Sequence, residues 1–110
     1  SISGILDFEK GQLTRIECGM AIDMAKRTQY GLEIDSSTRQ IVIKHCIYGI
    51  LPCHMIDGNY VVEDYMPLFE YARKNGLKPG NRVYTRGLAA CHMDHLPEYY
   101  LDLWLPLEED

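Results

Sequence analysis

Three residues near the C-terminus have the types and spacing to act together: Tyr100, Asp102 and Trp104. They alternate with Tyr99, Leu101, Leu103 and Leu105 through the stretch 97–107, and in an extended chain side chains two apart share a face. One face is then an apolar stripe suited to a core. The other holds a carboxylate between two aromatic rings. A carboxylate withdrawn from water needs a compensating partner, and no Lys or Arg stands within 97–107. A flat lipophilic cation would meet that need, neutralised by Asp102 and stacked on Tyr100 and Trp104. The competing reading is an edge strand with one wetted face, on which Asp102 meets only solvent.

A second set of reactive types is Cys53-His54-Met55 and its repeat Cys91-His92-Met93, with His45, Cys46 and His95 nearby. Zinc takes Cys and His tetrahedrally. Neighbours on a strand point to opposite faces, however, so each pair offers one ligand to a common site. Neither Cys-x-x-Cys nor His-x-x-x-His spacing is present. Ordinary histidines and buried thiols are the expectation, with no metal and no cofactor. Cys91 with His92 or His95 as nucleophile and base is disfavoured too, because sequence neighbours rarely hold that geometry and no oxyanion motif accompanies them.

Composition narrows the partners. The chain has 110 residues, 46% hydrophobic and 25% charged, which suits one globular domain with a modest core. A net charge of −5 argues against this chain gripping nucleic acid by itself and mildly favours cationic ligands. No apolar run reaches membrane-spanning length, so no membrane partner is expected. Cys18, Cys46, Cys53 and Cys91 are scattered, and read as reduced thiols of a cytoplasmic chain.

Several elements must position the acidic face. Residues 1–11 carry no clear pattern and read as a lead-in. From residue 12, Ile16, Cys18, Met20, Ile22 and Met24 alternate with small or polar residues, predicting a strand. Leu13, Ile16, Met20 and Met24 also fit helical spacing, but Gly19 favours the strand. Residues 28–31 form a break, 32–35 a short extended piece and 36–38 a turn. A β-rich run covers 41–51, interrupted at Gly49 and Pro52 and closed by a turn at 56–59. The spacing predicts a helix over 66–75, with Asp64 as cap, Pro67 in its first turn, and Leu68, Phe69, Tyr71 and Ala72 on its apolar face. Gly76 is its expected stop. A strand at 82–86 and a loose stretch at 87–96 precede the final strand. The fold class is α+β: an antiparallel sheet, containing Ile43, Val83 and Leu103, with one main helix on one face.

In order and spacing, four pieces together resemble the GyrI-like ligand-binding domain, the effector domain of MerR-type multidrug-responsive transcription regulators. They are the 41–51 run leading into Asp57-Gly58-Asn59-Tyr60, the stretch Met66-Pro67-Leu68-Phe69-Glu70-Tyr71-Ala72-Arg73-Lys74-Asn75-Gly76-Leu77, then Val83-Tyr84, and finally Tyr99-Tyr100-Leu101-Asp102-Leu103-Trp104-Leu105-Pro106. The resemblance covers about the last two-thirds of the chain. It implies two strand–helix–strand–strand units side by side with a drug-sized, often cationic aromatic molecule between them. An acidic residue four positions before a Pro in the last strand reaches into that pocket, which here is Asp102. Tyr100 and Trp104 would be stacking walls, and Tyr48 and Tyr84 further walls. The family usually carries Glu there, so the shorter Asp102 implies a smaller or deeper-seated ligand.

Residues 39–110 would be a complete unit within a single domain spanning 1–110. Residues 1–35 would be lead-in and a partial first copy, with 13–30 resembling its opening strand. No room remains before Ile41 for a helix and two strands, so the missing half-pocket is expected from a second chain in a homodimer. If 13–32 were helical instead, it would suit a dimerisation coil. Some GyrI-like proteins are hydrolases with an acid among aromatics in the same cavity, which is one alternative. A surface that binds another protein is the other.

Overall fold

The computed structural model describes residues 2–24, 26, 29, 31, 38–56, 59–93 and 96–108. Six antiparallel strands are described: β1 (Ile2–Glu9), β2 (Gln12–Met20), β3 (Cys46–Ile56), β4 (Asn59–Tyr60), β5 (Arg82–Met93) and β6 (Leu96–Pro106). A 3-10 turn at Val62–Asp64 leads into one helix, α1 (Met66–Lys74). The strands lie in the order β2-β1-β5-β6-β3-β4. The class is α+β, as the hydrophobic patterning requires.

The final strand follows its alternation. Leu103 and Leu105 are buried against the helix side, with Asp102 and Trp104 on the other face. The helix also falls where its pattern predicts. Pro67 sits in the first turn, while Leu68, Phe69 and Ala72 are buried. Gly76 has φ 71°, the left-handed conformation that glycine adopts freely. There the Leu77 amide donates to Ala72 O at 2.8 Å and the Gly76 amide to Arg73 O at 3.1 Å, closing the helix as a Schellman motif. Two expectations fail locally. Tyr71 is exposed rather than part of the apolar face. Asp64 does not cap the helix; its carboxylate instead accepts the His54 backbone N–H at 2.7 Å.

Strand ends differ from the reading more than strand identities do. Residues 2–9 are a strand paired on both sides, to β2 and β5, not a lead-in. The Lys10-Gly11 turn, with φ 51° and 75°, makes the two-residue hairpin that joins β1 to β2. β2 stops at Met20 because its partner runs out there, Ile2 facing Met20. Ile22 lies beyond it, and Met24 is helical. β3 begins at Cys46, opposite Pro106 at the end of β6, so Ile43 is not in the sheet that holds Val83 and Leu103. β5 runs on through the stretch expected to be loose and pairs with β6 as far as Met93, with a bulge between Gly87 and Ala89. The expected elements at 32–37 and the tip at 57–58 lie outside the described residues.

The core forms where α1 meets the sheet. Phe8 packs edge-on against Phe69 with ring centroids 5.3 Å apart. Leu68 lies over Gly49, where even an added Cβ would touch its methyl at 3.5 Å. The sheet curls into a half-barrel around these residues. Its outermost strands approach one another, with Cys18 Sγ 3.5 Å from Tyr60 Oη.

Candidate ligand-binding site

Directly opposed residues of an antiparallel sheet project from the same face, so register assembles the site. Tyr48, Trp104 and Tyr84 face one another across β3, β6 and β5. The next row is Ile50, Asp102 and Arg86. Four of the five expected residues, Tyr48, Tyr84, Asp102 and Trp104, thus meet on the face turned away from α1. Tyr100 shares that face one row further on, opposite Pro52 and Ala89.

Asp102 is only 1% exposed, and both its oxygens are occupied. The Tyr48 hydroxyl donates to Oδ1. Arg86 donates from Nε at 3.1 Å and from Nη2 at 2.8 Å, both to Oδ2. The guanidinium carbon lies 5.3 Å from the Trp104 ring centroid, within cation–π range. The Tyr48 ring is 5.3 Å from Trp104 and tilted by 47°. The Asp102 carboxylate stabilises the protonated forms of its partners, raising the Tyr48 phenol and the Arg86 guanidinium above their usual values.

Arg86 is the residue that reading 97–107 alone passes over. The partner Asp102 needs comes from the neighbouring strand. Its signal was present: Arg86 lies two positions beyond Tyr84 in a predicted strand, hence on the face already assigned to Tyr84. A parallel pair stands nearby. Arg82 on β5 grips Asp7 on β1 at 2.6 and 3.1 Å, and its hydrogen bonds hold the Asp7 carboxyl below the usual carboxylate range.

A cavity of about 840 Å³ opens over this face, in the size range of small-molecule sites. Tyr84, Arg86 and Trp104 contribute its floor, while Ile22, Met24 and Ile41 lie in the segments across from them. An ion pair between Arg39 and Glu17 at 2.8 Å ties the 38–43 segment to β2. Asp102 does not line this space, because Arg86 stands between. Tyr48 lines a separate recess of about 570 Å³ with Pro67 and Leu68.

The Cys-His tripeptide divides as alternation predicts. Cys53 is buried with the core, and burial pushes its thiol up to about 11. His54 points the other way. Its Nδ1 meets Asp64 at 3.2 Å and its Nε2 meets Glu98 at 3.3 Å. The carboxylates grip opposite edges of the ring, as a hydrogen-bonded clasp rather than a ligand set. Among the described residues no group of three or more His, Cys, Asp or Glu is placed to hold a metal. The side chains of Cys91 and His92, and all of His95, lie outside the described residues.

Among the described residues no helix is long and apolar enough to cross a membrane. No family model, curated protein or solved structure matches this chain.

Proposed function

We propose that the chain binds lipophilic aromatic small molecules, cations in preference to neutral ones, on the outer sheet face. One observation carries this reading. The face already accommodates a flat, delocalised cation, the Arg86 guanidinium, which is neutralised by buried Asp102 and stacked over Trp104. A ligand with the same chemistry has the same complement of partners, with Tyr84 and the 840 Å³ cavity beside it.

The order β3–α1–β5–β6, with the acid in the last strand, supports the resemblance to the GyrI-like effector domain of a cytoplasmic, multidrug-responsive regulator. On this reading the β1–β2 hairpin corresponds to the closing strands of a first copy. It lies against β5 through β1, which pairs on both sides. The exposed surface of β2 is then where a second chain completes the pocket in a homodimer. Ile16 and Met20 on β2, 47% and 77% exposed, give that contact apolar surface.

Trp104 is the single tryptophan, so its fluorescence reports on the site directly. Tetraphenylphosphonium and rhodamine-type dyes should quench it saturably, and uncharged aromatics of similar size should bind more weakly. Asp102→Asn should abolish the preference for cations while leaving some apolar affinity. Equal binding of cations and neutral compounds by the parent protein would overturn the reading.

A further inference from the structure

We infer that Arg86 is an internal occupant of the cation position, a side chain that an incoming cationic ligand must displace. This rests on the ligand-binding reading and adds to it how the site selects and responds.

The geometry is that of a bound ligand supplied by the chain itself. The guanidinium lies over Trp104 at 5.3 Å and donates twice to one oxygen of Asp102. It separates that buried carboxylate from the cavity. Unlike Asp102, the Arg86 side chain is 32% exposed, so it can move without breaking the core. A second acceptor waits at the opposite end of the group. Nη1 lies 3.5 Å from Asp23 Oδ1, in the segment that follows β2. An Arg86 released from Asp102 therefore keeps a carboxylate partner by turning towards Asp23. Occupancy of the floor by ligand is thereby coupled to the charge facing residues 21–24.

Selection follows from the competition. A side chain tethered directly opposite Asp102 competes at high effective concentration, and the apparent affinity of any ligand falls by the fraction of time the position stands open. Small aliphatic ammonium ions bring charge but no ring, and cannot recover the stacking that Arg86 gives up. Large aromatic cations bring both. The plug is thus a threshold that admits lipophilic aromatic cations and rejects hydrophilic ones.

The test compares the parent with Arg86→Gln and Arg86→Lys, using Trp104 fluorescence with tetraphenylphosphonium and with tetramethylammonium. Far-UV circular dichroism establishes that each variant is folded. Arg86→Gln should bind tetraphenylphosphonium about tenfold tighter or more and acquire binding of tetramethylammonium that the parent lacks. Arg86→Lys, which keeps the charge without the planar stack, should fall between. Equal or weaker tetraphenylphosphonium binding by Arg86→Gln overturns the plug and leaves the ligand-binding reading standing. No quenching in any of the proteins overturns both. A measurement on the parent alone covers the case in which Arg86→Gln does not fold. The Arg86 Nε–H resonance should move and exchange faster with water on addition of tetraphenylphosphonium. An unmoved resonance at saturating quench overturns the proposal.

Discussion

Arg86 and Asp102 stand directly opposite one another on β5 and β6, and two guanidinium nitrogens close on the same carboxylate oxygen at 3.1 and 2.8 Å. One partner is almost wholly buried and the other only partly. Removing either is therefore not symmetrical: loss of Arg86 strands a buried charge, whereas loss of Asp102 frees a cation that can turn to water.

A double-mutant cycle measures this pair. Asp102→Ala should lower the unfolding free energy by about 3 kcal/mol, the low end for a broken buried pair because Arg86 is partly exposed. The double variant Asp102→Ala/Arg86→Ala should be less destabilised than the sum of the singles. Simple additivity in urea titrations would show that the bond contributes nothing to the fold.

His54 makes stability depend on pH. Its hydrogen bond to Asp64, assisted by Glu98, raises its folded-state value above the ordinary histidine value of 6.5. The proton is held more tightly in the folded chain, so this contribution is complete below that ordinary value and is lost as pH rises through the raised one. Urea midpoints should fall from pH 6 towards pH 8.5, and His54→Gln should flatten that slope.

Thiol reactivity should separate two cysteines. Burial holds Cys53 up at about 11, whereas Cys18 is exposed on β2. Iodoacetamide at pH 8 should modify Cys18 in the native protein and leave Cys53 intact until the chain is unfolded. Peptide mass analysis gives the answer.

The exposed apolar surface of β2 should carry association. Light scattering at high micromolar concentration should find two chains, and Ile16→Lys should return the protein to monomer, since a charge on that surface opposes docking. A parent that stays monomeric at that concentration argues against the shared pocket.

Leu103 ties α1 to the face that carries Asp102, and it is fully buried. Leu103→Ala should cost about 3 kcal/mol. Thermal melting with and without tetraphenylphosphonium would show whether binding survives in the weakened core.

The strongest local patterns were legible. The alternation at 97–107 produced β6 with the correct faces, and Pro67, three of the four expected apolar-face residues (Leu68, Phe69 and Ala72, without Tyr71) and Gly76 marked α1. Where a strand stops was not, because Met20 and Cys46 are set by the lengths of their partners β1 and β6 rather than by their own neighbours. β1 is not legible locally because Gly4 on its core face and Ile5 on the other blur its alternation, and pairing on two sides carries it instead. The Arg86–Asp102 pair joins residues 16 positions apart through a bulged hairpin, whose register no local pattern encodes.

The approach of β2 to β4 has a consequence in time rather than in energy. Within the sheet every neighbouring pair of strands is laced by repeated backbone bonds. The two outer strands instead meet where Cys18 touches Tyr60, a weak sulfur contact. The half-barrel thus has a seam, and thermal opening should begin there. In hydrogen exchange the β2 amides should be lost first and the β6 amides last, so the wall of the cavity formed by β2 would breathe while its floor stays closed.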